Sequence, residues 1–183
     1  MYVLGKGLLS RIATGLTILG VSMSVHAADS ASLELGAGDK VQFARVGVQW
    51  DWNKKWFQSN GTHISGYWDA SLAQLRATKY RDDPNQTQHI TMIGLTPMFR
   101  YERDSKTGFY AEGGIGAHLM SELYDNNGDR LSTAFQFGDQ VGVGYVFQNK
   151  LDVGFKLLHF SNGGIKNPNS GINLAVLRAS YPF

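Results

Sequence analysis

Two residues near the C-terminus carry chemistry that their surroundings do not call for. In LDVGFKLLHFSNGGIKNPNSGIN, Leu151 to Asn173, an alternating apolar run ends in His159 and Ser161 and then dissolves into Gly, Asn and Pro. A serine becomes a nucleophile when a base lies beside it and a third group orients that base. His159 is the right type for the base. Asp139 and Asn173 are the right types for the third group, and each interrupts a run of apolar residues. Rival chemistries lack their residues. The chain has no cysteine, which removes a thiolate nucleophile, a disulfide framework and a thiolate metal site. It has no G-x-S-x-G elbow, no H-E-x-x-H and no P-loop. Asp125 to Asp129 lacks a full calcium-loop pattern and reads as a turn, so neither a metal nor a cofactor is expected.

A spacing of two has a definite meaning in a strand, where alternate side chains share a face. His159 and Ser161 then join Leu151, Val153, Phe155 and Leu157, while Asp152, Lys156 and Phe160 lie on the other face. Asp139 interrupts the apolar face made by Phe135, Phe137, Val141, Val143, Tyr145 and Phe147. Asn173 shares the face of Ala175, Leu177, Ala179, Tyr181 and Phe183. If Gln148 to Lys150 form a three-residue turn, Phe147 lies opposite Leu151, and counting back puts Asp139 opposite His159. Directly opposed Cβ atoms in an antiparallel pair are ~5 Å apart.

Period-two alternation, with no convincing helical periodicity after Ser30, predicts strands at about 30–38, 42–52, 61–79, 88–103, 107–121, 131–147, 151–161 and 172–183. Turn clusters such as Arg81-Asp82-Asp83-Pro84-Asn85 separate them. Eight antiparallel strands close a barrel whose interior side chains fill, so no pore is expected. A soluble, lipocalin-like barrel points its apolar face inward; a membrane barrel points it at lipid. Charge favours the membrane, because the polar faces carry Arg45, Asp51, Asp69, Arg100, Glu102, Glu112, Lys156 and Arg178 well along the strands. The strands reach the 9–11 residues that cross a bilayer. Aromatics gather near strand ends, with Trp50, Trp52, Trp56 and Phe57 in one group and Tyr181 and Phe183 in another, as interfacial girdles do. The alternation that closes on Phe183 looks like the C-terminal signature of bacterial outer-membrane barrels. His159, Ser161, Asp139 and Asn173 therefore face lipid, where a carboxylate is costly unless it is paired or interfacial. With the N-terminus on the periplasmic side, His159 and Ser161 fall near the outer-leaflet interface.

The first 27 residues have the grammar of a secretory signal. Lys6 and Arg11 precede an apolar run from Ile12 to Val25, and cleavage is expected after Ala27. The domain expected to fold is 28–183. Of 17 basic residues two lie in the signal, which leaves 15 against 15 acidic ones. A formally neutral chain offers no basic excess for nucleic acid.

HFSNGGIKNPNSGIN resembles the last hairpin of the outer-membrane lipid A 3-O-deacylases, the PagL family. QWDWNKKWFQ, GYWDA and AEGGIGA also look like family segments, so the likeness runs through essentially the whole mature chain. It implies an eight-stranded barrel in the bacterial outer membrane and a serine esterase that removes the 3-position acyl chain of lipid A. His159 and Ser161 match the family's base and nucleophile, and Asn162 and Gly164 match positions for an oxyanion hole. Where well-known members carry Glu as the third triad member, this chain has Asn173; Asp139 matches an acidic position in the family and is the candidate to supply negative charge. Lys166, in the loop after the nucleophile, is a candidate to meet a lipid A phosphate. The partners implied are lipopolysaccharide and outer-membrane lipids, with a homodimer left open. The rival reading is a non-enzymatic barrel of the small OmpX kind, whose loops act in adhesion or envelope integrity. A phospholipase or palmitoyltransferase barrel is the rival among enzymes.

Overall fold

The computed structural model describes residues 27–183, so the expected signal segment lies almost wholly outside the described residues. Eight long strands organise the chain: β1 Ser30–Gly38, β2 Val41–Asp51, β3 Thr62–Ala77, β4 Gln88–Arg103, β5 Gly108–Met120, β6 Phe135–Val146, β7 Asp152–Ser161 and β8 Ile172–Pro182. Every neighbouring pair is antiparallel, and β1 pairs with β8 to close the ring. The result is the expected eight-stranded up-and-down barrel, in which no long strand keeps an open edge. Among the described residues no helix is long and apolar enough to cross a membrane.

The faces follow the alternation. Exposed apolar side chains such as Leu35, Val46, Leu72, Ile93, Ile115, Val141, Val143 and Leu177 form the outer wall. The lumen is divided along its axis. Towards the end that holds the termini, Arg45 bridges Glu34 and Asp69, Lys156 lies 3.2 Å from Glu34 and 3.5 Å from Glu112, and Arg178 lies 2.7 Å from Asp152. Arg100 joins Glu112 and Asp152, which also accept hydrogen bonds from the Tyr67 and Tyr110 hydroxyls. Each buried charge thus has a partner of opposite sign, the condition under which burial is tolerated. Asp51 differs from its expected place: it is the last residue of β2, exposed at the rim, where Lys106 reaches it at 3.0 Å.

Towards the opposite, distal end the lumen turns apolar. Phe43, Leu75, Ile90, Met92, Leu158, Phe160, Ile172 and Leu174 pack into one cluster. This cluster holds the backbone of β7, because Leu158 and Phe160 alternate with His159 and Ser161. Phe160 meets the His118 ring edge-on at 5.0 Å and Phe43 at 6.4 Å.

The expected strands agree with the observed ones to within a few residues except at the start of β6. Residues 131–134 lie in the loop before it, because Asp125–Asn126 pairs with Asp129–Arg130 in a miniature hairpin. Its Asn127-Gly128 tip has positive φ at both residues, the turn that this dipeptide favours. A short strand, Trp56–Ser59, also escaped the sequence reading; it pairs with the start of β3. The aromatic girdle draws on residues far apart in sequence. Trp52 packs edge-on against Trp56, Trp68 and Phe99, and Tyr145 against Phe109 and Phe147.

Candidate active site

His159 sits one row from the distal end of β7, between two neighbours that the register places directly across from it: Asn173 on β8 and Asp139 on β6. The three-residue turn that set this register is present, with the Phe147 N–H donating to the Leu151 carbonyl at 2.8 Å. The two neighbours are not equivalent. His159 Nδ1 lies 2.7 Å from Asn173 Oδ1. An amide oxygen only accepts, so this contact puts the proton on Nδ1 and leaves Nε2 with its lone pair. The Asp139 carboxylate makes no hydrogen bond or ion pair among the described residues, and the residue stands half-buried across from His159 in the register. Burial alternates along β7, so His159 and Ser161 share the outer wall with Leu157, while Leu158 and Phe160 point into the lumen.

Ser161 closes β7 and is half-buried, opposite Phe137. Its Oγ is not hydrogen-bonded to His159; in unliganded enzymes such bonds are often long and tighten only around substrate. The loop that follows is built on Asn162, which is fully buried. Its Nδ2 donates to the Lys166 carbonyl at 2.7 Å and to Ser132 Oγ at 3.3 Å, and its Oδ1 accepts the Gly164 N–H at 2.9 Å. The Asn162 N–H donates to Asn169 Oδ1. Both donors matched to an oxyanion hole are therefore engaged inside the loop in this arrangement. Lys166 is exposed; its carbonyl braces the loop, and its ammonium has no ion-pair partner among the described residues.

Three residues that the sequence reading did not single out help to build the site. Ser132 and Asn169 hold Asn162, and the Leu131–Asn169 bridge ties the loop of residues 162–171 to the loop before β6. Gly171 lies against the imidazole: a Cβ there would come within 2.6 Å of His159 Cε1, and its φ of +83° is one that side chains disfavour. The sequence held a signal for Gly171, since a lone glycine at a loop-to-strand junction marks close approach. It held none for Ser132, which is 29 residues from Ser161. Beside His159 a groove of about 480 Å3 runs along the outer wall, between Ala37, Val141, Leu157 and Ala175, and reaches Asp139 and Asn173.

A closed barrel with an apolar outer wall and a paired ionic lumen defines the class as an outer-membrane β-barrel. Residues 42–182 match the family profile described as Lipid A 3-O-deacylase (PagL). The lipid A deacylase PagL of Pseudomonas aeruginosa is 32% identical over 92% of this chain and 96% of its own length. The lipid A deacylase PagL of Bordetella bronchiseptica is 33% identical over 83% of this chain and 82% of its own. Among solved structures, the outer membrane enzyme PagL superposes with a TM-score of 0.73 at 29% identity, over 84% of this chain and 99% of that one. The Yersinia pestis outer membrane protein Ail, at 11% identity and a TM-score of 0.50 over 86% of this chain and 100% of its own, shares the fold alone. The chain belongs to the lipid A 3-O-deacylase (PagL) family. It is a hydrolase of the bacterial outer membrane.

Proposed function

We propose that this chain is a serine esterase that hydrolyses the 3-position acyl ester of lipid A, with its site on the lipid-facing wall of the barrel. The observation that carries the reading is the outward His159–Asn173 pair, two residues from Ser161 and beside the apolar groove. With the termini in the periplasm, the distal end lies in the outer leaflet, where lipid A resides. A lipid-facing site lets the ester approach sideways, so the acyl chain passes from bilayer to groove without crossing water. Its apolar surface stays buried throughout.

Ser161 Oγ attacks the ester carbonyl carbon while His159 Nε2 takes the hydroxyl proton. The tetrahedral oxyanion needs donors. Asn162 Nδ2 supplies one by exchanging its longer bond, to Ser132, and the Gly164 N–H supplies the other by leaving Asn162 Oδ1. Collapse breaks the bond from the carbonyl carbon to the sugar oxygen, which leaves with the proton from His159. Water, deprotonated by the same imidazole, then releases the fatty acid from Ser161. Asn173 Oδ1 keeps the Nδ1 proton in place through both steps, and the Asp139 carboxylate stabilises the transient imidazolium. Lys166, unpaired in the loop over the site, meets a phosphate of the substrate.

The test is lipid A mass spectrometry from cells expressing the wild type, Ser161→Ala or His159→Asn at matched levels. Loss of one 3-position acyl chain in the wild type alone is expected, with free 3-hydroxy fatty acid released from purified lipopolysaccharide. An active Ser161→Ala variant would overturn the mechanism. A wild type that folds but releases no fatty acid would favour the non-enzymatic barrel.

A further inference from the structure

On the side of the barrel opposite the nucleophile, the outer wall changes character before it reaches the distal end. The lower outward positions of β2 to β4 are apolar, with Val46, Val48, Leu72, Ile93 and Leu95 exposed. Above them the outward residues are Gln42, Gln74, Arg76, His89 and Thr91, all at least partly exposed. The register aligns Gln42, Arg76 and His89 in one cross-strand row, and Ala44, Gln74 and Thr91 in the next. Arg76 Nη1 donates to Gln42 Oε1 at 3.1 Å, which orients the guanidinium and leaves its other N–H groups unused. Lys40 turns the β1–β2 hairpin beside this row, and its carbonyl accepts both the N–H and the hydroxyl of Thr78, two residues beyond Arg76.

Among the described residues these cations form no ion pair. The exposed lysines and arginines that have carboxylate partners are Lys55, Lys106 and Arg130, and neither Arg76 nor Lys40 is among them. The hairpin's own carboxylate, Asp39, is engaged by Asn127. A planar guanidinium with free donors, with His89 across from it in the row and the Lys40 turn next to its strand, suits the oxygens of a phosphate. The row is at the same end of the barrel as His159, but β3 is four strands from β7 whichever way round the barrel is counted. A lipid held there is not the molecule at Ser161.

We infer that Arg76, with Lys40 and His89 beside it, binds a phosphate of a second lipid A molecule, one that is held rather than cleaved. From the proposed function this takes only that the distal end lies in the outer leaflet. The barrel thereby keeps one glycolipid fixed against its far wall while another is processed.

The experiment is native mass spectrometry of the Ser161→Ala protein in non-ionic detergent, titrated with bisphosphorylated lipid A, its dephosphorylated form or phosphatidylglycerol. The expected result is that Arg76→Gln/His89→Gln, added to Ser161→Ala, retains one lipid A fewer, with affinity at that site reduced about tenfold. Dephosphorylated lipid A should fail to fill the site in either protein. Heat-modifiable migration on gels establishes that the variant is folded. Equal lipid A retention by both proteins would overturn the inference, as would phosphatidylglycerol binding there as tightly as lipid A. Turnover by the Ser161 enzyme tests the deacylase reading separately, so failure of one does not imply failure of the other.

Discussion

The neutral partner of His159 invites a quantitative experiment. Nδ1 is held at 2.7 Å by an amide oxygen, where well-known family members carry a carboxylate. A hydrogen bond between neutral groups contributes about 0.5–1.5 kcal/mol net, and one to a charged group about 1.5–3 kcal/mol. Asn173→Glu should therefore favour the imidazolium by about 1–1.5 kcal/mol more than Asn173 does, which raises kcat roughly 5- to 12-fold. Asn173→Ala loses the neutral bond and the ring's orientation, for a loss of about 1 kcal/mol or roughly fivefold in kcat. In the proposed mechanism Asp139 acts through space. At a cross-strand separation of ~5 Å and an effective dielectric of about 20, its charge interacts with the imidazolium by at most about 3 kcal/mol. Asp139→Asn should then slow turnover by roughly 5- to 150-fold without changing Asn173's bond. The assay is kcat for 3-hydroxy fatty acid release from lipid A in mixed micelles, with melting temperature measured on the same preparations. Wild-type turnover by Asn173→Ala would remove that bond from the mechanism. A fall in melting temperature with unchanged kcat in Asp139→Asn would make Asp139 structural, leaving Asn173 as the sole partner.

Gly171→Ala puts a methyl group within 2.6 Å of His159 Cε1 at a φ of +83°, so it should lower kcat by more than tenfold while KM changes little; steady-state kinetics on lipid A checks this. Lys166→Glu should raise KM for lipid A more than for a neutral ester of the same chain length, because only lipid A offers it a phosphate; parallel kinetics on the two substrates decides. Lys156→Met in the lumen removes one partner from Glu34 and Glu112, which keep Arg45 and Arg100, and should lower the barrel's stability by less than the ~3–5 kcal/mol of a fully unpaired buried charge, read from urea unfolding in detergent. Val141→Arg, at an outward position that is 61% exposed, should cost about 2–4 kcal/mol in the same assay if the site lies near the bilayer midplane.

The strands and their faces were legible because a barrel wall has two solvents. Lipid outside and paired charge inside impose opposite demands on successive residues, so the alternation of Val153, Phe155 and Leu157 with Asp152, Gly154 and Lys156 is written locally. The contact between His159 and its neighbours was partly legible for the same reason. A short turn at Gln148 to Lys150 sets the register, and counting along a regular hairpin then reaches Asp139 opposite His159. Residue types alone could not rank Asp139 against Asn173, because both lie across from the ring. Side-chain geometry decides, and it gives the hydrogen bond to Asn173. The loop after Ser161 was legible least. Regular strands repeat every two residues, but a loop satisfies its buried polar groups wherever the fold brings partners. Asn162 finds Ser132 30 residues away and Lys166 four residues on, and no local pattern records either contact. Sequence thus determined which face meets lipid and which residues could do chemistry there. Tertiary structure decided which partners engage the loop's donors, because that depends on contacts between loops that no strand period links.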